Sequence, residues 1–111
     1  WVALIPGNLL GKLPRINETE GIPYKDLMCV IRLFNPIGKE TWYVIEYDPE
    51  KELAFGFVDL GGYPELGTFS LKELRELKLP FGLKIERDKN WKSKPLWMVE
   101  RAHMAMYELS V

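Results

Sequence analysis

Six carboxylates, Glu46, Asp48, Asp59, Glu65, Glu86 and Asp88, fall at the ends of expected strands and in the loops between them. Two or three carboxylate oxygens meeting at one end of a sheet would hold Mg²⁺ or Mn²⁺, and such an ion activates water against a phosphodiester. Convergence of this set would make the chain a divalent-metal-dependent phosphodiesterase or nuclease. The same residues are equally accounted for as solvated or ion-paired acids, and Asp48-Pro49 as turn chemistry. A second group is cationic: Arg87, Lys89, Lys92 and Lys94 surround Trp91. An aromatic that stacks on a base, flanked by cations that neutralise phosphates, is the ingredient list of a single-strand nucleic-acid surface. Its alternative is a wet loop with Trp91 folded back onto a sheet. Arg87 alternates in direction with Glu86 and Asp88, so it either forks onto a carboxylate such as Glu65 or Glu46 or contacts a ligand phosphate.

Other reactive residue types lack partners in sequence. Cys29 is the single cysteine and lies in the apolar run Met28-Cys29-Val30-Ile31, which reads as core filling and permits no intramolecular disulfide. His103 is the only histidine, and no spacing supports a Ser/His/Asp, Cys/His or metal-ligand arrangement around it. Gly61-Gly62 lacks the further glycines and the helix start of a phosphate-cradling loop, so it is a turn, and no cofactor motif is present. Trp97, Met98, Met104, Met106 and Tyr107 form either core or an adaptable protein-binding face.

The elements that must position these groups are organised around Thr41 to Leu60. Two runs rich in aromatic and β-branched residues flank Asp48-Pro49-Glu50-Lys51-Glu52, the signature of an antiparallel hairpin with a longer loop. With that loop, Tyr47 faces Leu53, Ile45 faces Phe55 and Tyr43 faces Phe57 on a greasy side, while Glu46–Ala54, Val44–Gly56 and Trp42–Val58 form a mixed side with a notch. Lys25 to Phe34 is apolar on both parities, as in an interior strand, and Asn35-Pro36-Ile37-Gly38 turns it into the hairpin. Ser70 followed by Glu73 makes a capping box, with Phe69 and Leu74 as its hydrophobic staple, so a short helix starts at Leu71 and ends before Pro80.

The remaining segments are simpler. Val2 to Pro6 is an apolar entry, and Asn8 caps a brief helix that Pro14 stops. Leu83 to Arg87 alternates like an edge strand, and Asp88 to Pro95 is a lysine-rich loop. Leu96 to Leu109 carries apolar residues at 98, 102, 105, 106 and 109, as in a helix, although Met104 to Tyr107 also fits a strand. The expected fold is α+β: a small, mainly antiparallel sheet centred on the hairpin 41–60, packed by the capped helix 71–78 and a C-terminal helix.

Composition sets outer bounds. A chain of 111 residues reads as one domain, 1–111, and a domain of this size buries roughly 65% of the surface its unfolded chain exposes, enough for a core without disulfide or metal. The net charge of -1 argues against wholesale attraction to nucleic acid or to an anionic membrane. It hides an asymmetry, since residues 39–76 hold nine acids and four bases, and residues 84–101 six bases and three acids. No run of 18 apolar residues and no signal pattern is present, which leaves a cytoplasmic protein as the expectation.

Several ordered blocks carry a likeness: Leu13-Pro14, Thr19-Glu20, Trp42-Tyr43-x-x-Glu46-Tyr47-Asp48-Pro49, Ala54-Phe55-Gly56, Pro64-Glu65-Leu66-Gly67, Phe69-Ser70-Leu71-x-Glu73-Leu74, Gly82-Leu83-x-Ile85-Glu86-Arg87-Asp88 and Lys94-Pro95-Leu96. This order resembles a family of small bacterial and archaeal proteins catalogued as a domain of unknown function, over about residues 8–97. The resemblance implies a compact intracellular α+β domain carried by plasmids, phages or integrated mobile elements, and it brings no catalytic residue with it. The functional expectation is a non-enzymatic accessory factor that binds nucleic acid or a host or element protein, with no cofactor and no membrane. The alternative is the metal-assisted phosphodiesterase.

Overall fold

The computed structural model describes residues 3–111; Trp1 and Val2, where the expected apolar entry begins, lie outside the described residues. The central hairpin forms from β3 (Thr41–Asp48) and β4 (Leu53–Asp59). Its open end pairs as the alternation predicts, with Trp42 opposite Val58, Tyr43 opposite Phe57 and Val44 opposite Gly56. Past Val44 the register slips by one, so that Glu46 stands opposite Phe55, Tyr47 opposite Ala54 and Asp48 opposite Leu53. The expected Ile45–Phe55, Tyr47–Leu53 and Glu46–Ala54 pairs are therefore corrected. Ile45 is the extra residue of a β-bulge.

Gly56 is what makes the bulge possible. A Cβ there would overlap the carbonyl oxygen of Tyr43 and lie 2.8 Å from its carbonyl carbon. At the closed end, Asp48 stays in the strand and its Oδ1 accepts from the backbone N–H of Glu50 at 2.9 Å, while Glu52 takes a left-handed φ of 50° to re-enter β4.

Around the hairpin the chain completes an antiparallel five-stranded sheet. β2 (Ile31–Phe34) pairs with β3, and β5 (Glu65–Ser70) with β4. The short β6 (Glu86–Arg87) closes the far edge beside β2, giving the order β5-β4-β3-β2-β6. The strand 65–70 replaces the expected turn-rich approach to the helix, because the ladder offered by β4 outweighs the weak strand preference of Gly67. The expected single strand 25–34 is interrupted. Only two residues, β1 (Met28–Cys29), separate from β2 to pair with β7 (Lys94–Pro95) in a second small sheet. The expected strand 83–87 keeps only its last two residues as ladder.

Three α-helices lie among the described residues. α1 (Gly7–Leu10) is one turn that begins ahead of Asn8. α2 (Leu71–Glu76) starts where the capping residues place it, with Ser70 Oγ accepting from the Glu73 N–H at 3.1 Å. The tail is helical, α3 (Leu96–Ser110), which resolves the choice between helix and strand there. Among the described residues no helix is long and apolar enough to cross a membrane.

Both sheet faces are covered. Trp42, Val44, Tyr47 and Ala54 pack with Leu4, Leu13, Leu71, Leu74 and Ile85 on one side. Tyr43, Ile45 and Phe57 pack with Cys29, Leu96 and Val99 on the other, with Trp91 beside them. The bulge accounts for this division, since without it Tyr47 would share the face of Tyr43 and Ile45. The buried face of α3 is Leu96, Val99 and His103, whereas Met98, Ala102, Ala105, Met106 and Leu109 face outward. The apolar periodicity seen in sequence is thus the exposed side of that helix.

Candidate functional site

On the face that α3 covers, strand geometry brings Tyr43 and Asp59 together. Tyr43 is paired with Phe57, and Asp59 lies two residues further along the same strand, so their side chains emerge on one face as diagonal neighbours. α3 adds His103, seven residues after Leu96 and four after Val99 and therefore on the same buried stripe. The three side chains form a chain of hydrogen bonds. Nδ1 of His103 is 2.6 Å from Oδ2 of Asp59, and Nε2 is 2.7 Å from the hydroxyl of Tyr43.

The proton positions follow from the partners. A carboxylate only accepts, so Nδ1–H donates to Asp59, and when the ring carries that one proton Nε2 accepts from the Tyr43 hydroxyl. The second carboxylate oxygen of Asp59 accepts from the Gly61 N–H at 2.8 Å, which ties the array to the turn after β4. Tyr43 is 4% and His103 9% exposed. Burial pushes the Tyr43 phenol above its ordinary pKa, and the Arg32 guanidinium opposes that shift from the neighbouring strand, where Arg32 is the residue paired with Tyr43. The phenyl ring of Phe57 meets the imidazole edge-on, with centroids 5.7 Å apart.

Above this array lies a cleft of about 420 Å³, bounded by Arg32 and Phe34, the turn 35–40, Gly61-Gly62 and the last turns of α3 at Met106 and Tyr107. Tyr43, Asp59 and His103 line its base. Arg32 is held there by Asp88 at 3.2 Å and by the ring of Phe34, 5.0 Å below its guanidinium carbon.

The six acids named from sequence are dispersed. Glu46 accepts from the backbone N–H groups of Asn17 at 3.0 Å and Thr19 at 2.9 Å and from the Thr19 hydroxyl, fastening the loop 14–20 to β3. Asp48 serves its own turn, Asp59 orients His103, and Asp88 pairs with Arg32. Glu65 on β5 and Glu86 on β6 stand on opposite edges of the sheet. Among the described residues no three His, Cys, Asp or Glu side chains come together as a metal-binding group.

The cationic set lies around β6 and the segment that follows it, where Arg87, Lys89 and Trp91 border one small cleft. Arg87 donates from Nε to the Ala3 carbonyl at 3.1 Å, taking neither Glu65 nor Glu46 as partner, because Glu65 is on the far edge and Glu46 is occupied by the loop 14–20. Together with Lys84, Lys89 and Arg75 it lines a cleft of about 310 Å³. The indole N–H of Trp91 donates to the Cys29 carbonyl at 3.1 Å and its ring lies 5.3 Å from that of Tyr43. The Lys94 ammonium sits 4.8 Å from the Trp91 centroid. Trp91 is thus an anchor for the lysine-bearing loop. Lys84, Lys89 and Lys92 are exposed and enter no ion pair among the described residues.

His103 was invisible as a site residue in sequence because its partners are 44 and 60 residues away. The one available signal was parity: pairing Tyr43 with Phe57 puts Asp59 on the same face. Cys29 is fully buried, and burial lifts its thiol from 9.0 to about 12, which suits core filling.

No curated protein and no solved structure matches the chain. A family model does, across residues 4–106, so the match extends beyond the 8–97 of the sequence blocks and takes in most of α3 together with His103. The chain belongs to the family described as "Protein of unknown function (DUF2958)".

Proposed function

We propose that the protein is an accessory binding protein for single-stranded nucleic acid, acting in the mobile-element setting that the sequence blocks imply, and that the segment 84–94 carries the contact. The observation that supports this reading is the run of exposed cations, Lys84, Lys89, Lys92 and Lys94, next to the Arg87 cleft in a chain whose net charge is -1. Cations gathered on one edge attract a polyanion although the whole molecule does not. Anchoring by Trp91 fixes the loop, so the lysines are presented with little further ordering on binding.

Anisotropy titration of a fluorescent single-stranded oligonucleotide at several salt concentrations tests the reading. Binding weakens as salt rises, and the triple variant Lys89→Ala, Lys92→Ala, Lys94→Ala lowers the log–log salt slope by about 2 if each lysine neutralises one phosphate. Absence of binding at low salt, or an unchanged slope in the triple variant, removes it.

A protein partner is a second reading, and the outward face of α3 favours it: Met106 is 63% and Leu109 89% exposed, and Trp97 and Met98 are exposed at the start of the same helix. Affinity capture with and without nuclease treatment separates the two, since a protein held through α3 survives nuclease.

A further inference from the structure

We infer that the cleft above Tyr43, His103 and Asp59 is a phosphodiester-transfer site in which the Tyr43 hydroxyl is the nucleophile. The choice of a phosphodiester as substrate rests on the nucleic-acid reading above; the acid–base geometry does not.

The argument starts from roles. A weak oxygen nucleophile is activated when a base accepts its proton and a third group orients that base, and such an arrangement is recognised by geometry, not by sequence position. Here the hydroxyl of Tyr43 is 2.7 Å from Nε2 of His103, and Nδ1 is 2.6 Å from Asp59. The carboxylate fixes the tautomer that leaves Nε2 free to accept, and it stabilises the imidazolium once formed. Asp59 is a positioning residue, since it reaches the reaction only through His103.

A purely structural linkage between α3 and the sheet explains the hydrogen bonds, but it leaves the surroundings unexplained. The array lies at the base of a cleft of about 420 Å³ instead of under continuous packing, and Arg32 lines the same cleft beside Tyr43. A guanidinium there complements a phosphate anion and the charge that grows on its oxygens during transfer. Lys39 stands at the rim. Asp88, the partner of Arg32, directly precedes Lys89 in the chain.

The step balances within these groups. Oη of Tyr43 forms a bond to phosphorus as its proton passes to Nε2 of His103, and the bond from phosphorus to one ester oxygen breaks. The leaving alkoxide takes the proton from His103, which returns to the neutral ring and leaves a phosphotyrosyl diester. Attack by water, or by the hydroxyl of a second strand, reverses the same sequence and frees Tyr43.

Two probes test this on the intact chain: bis(p-nitrophenyl) phosphate, followed by p-nitrophenol release, and a single-stranded oligodeoxynucleotide, followed by acid-quenched denaturing electrophoresis and intact-protein mass. The expected result is a covalent adduct mapped to Tyr43 on either probe. Tyr43→Phe, which keeps the ring packing, abolishes the adduct and the p-nitrophenol release, and Asp59→Asn slows transfer by about 10²–10⁴-fold while circular dichroism shows both variants folded. No adduct and no p-nitrophenol release from the wild-type chain on either probe overturns the inference, as does release that survives Tyr43→Phe. Salt-dependent oligonucleotide binding without any transfer leaves the proposed function standing and sinks only this site. Transfer from the aryl diester without oligonucleotide binding does the reverse.

Discussion

Replacing Gly56 by alanine is the smallest change that tests how the hairpin is built. The added Cβ falls on the Tyr43 carbonyl, 2.8 Å from its carbon and 3.3 Å from the Ile45 nitrogen. All of these are backbone atoms, so no rotamer change relieves the overlap, and β3 and β4 must separate at the bulge. Overpacking of this kind costs about 1–3 kcal/mol. Two ladder hydrogen bonds weakened by the separation add about 1 kcal/mol each. The reduced freedom of alanine in the unfolded chain returns about 0.5 kcal/mol.

The net loss is therefore about 3.5 kcal/mol, and at about 4 °C per kcal/mol for a chain of this size the melting temperature falls by about 14 °C. Thermal and urea unfolding followed by circular dichroism measure it. The control is built into the sheet: Gly67, paired with Gly56 across β4 and β5, has nothing within 4 Å of an added Cβ, so Gly67→Ala stays within about 1 kcal/mol of the parent chain. Equal melting of the two variants would refute the bulge account. The consequence reaches the cleft as well, because the displaced carbonyl belongs to Tyr43.

Two further outcomes follow from the buried polar and thiol groups. Glu46→Ala removes the acceptor for two backbone N–H groups and the Thr19 hydroxyl; it destabilises by about 1–3 kcal/mol and speeds tryptic cleavage after Arg15, with Glu46→Gln intermediate, and unchanged cleavage kinetics would contradict the role given to that carboxylate. For Cys29 the folded pKa of about 12 lies above its ordinary 9.0. The unfolded chain therefore binds fewer protons than the folded one between these values, and this contribution to stability is intact below pH 9 and declines as pH rises toward 12. Thiol labelling at neutral pH is negligible in the native chain and complete in guanidinium, and rapid native labelling would show the site to be open.

Local chemistry was legible where neighbours in sequence are neighbours in space. Phe69, Ser70, Glu73 and Leu74 lie within six consecutive residues, and the start of α2 followed from them. The half of the hairpin from Thr41 to Val44 paired as its alternation required. The other half did not, because an unpaired Ile45 leaves no mark in the composition of β3; only Gly56 on the opposite strand hinted at it. β5 went unread since Gly67 and Thr68 have no distinct strand pattern until β4 supplies the ladder. In α3 the apolar spacing at 98, 102, 105 and 106 pointed to a face that the fold leaves outside, while the stripe that packs includes the polar His103.

The sequence by itself determined the α+β class, the hairpin, the capped helix and the separation of an acidic stretch from a basic one, since each depends on periodicity, capping or charge within a few residues. Tertiary structure alone decided what the polar residues do. It gave Glu46, Asp48, Asp59 and Asp88 separate partners and set Glu65 and Glu86 on opposite edges, tied Arg87 to the carbonyl of Ala3, and joined Asp59, His103 and Tyr43 from three elements into one buried array. The physical reason is that hydrogen-bond partners of buried groups are selected by which faces pack together, and sheet order, bulge and helix docking settle that only after the chain has folded.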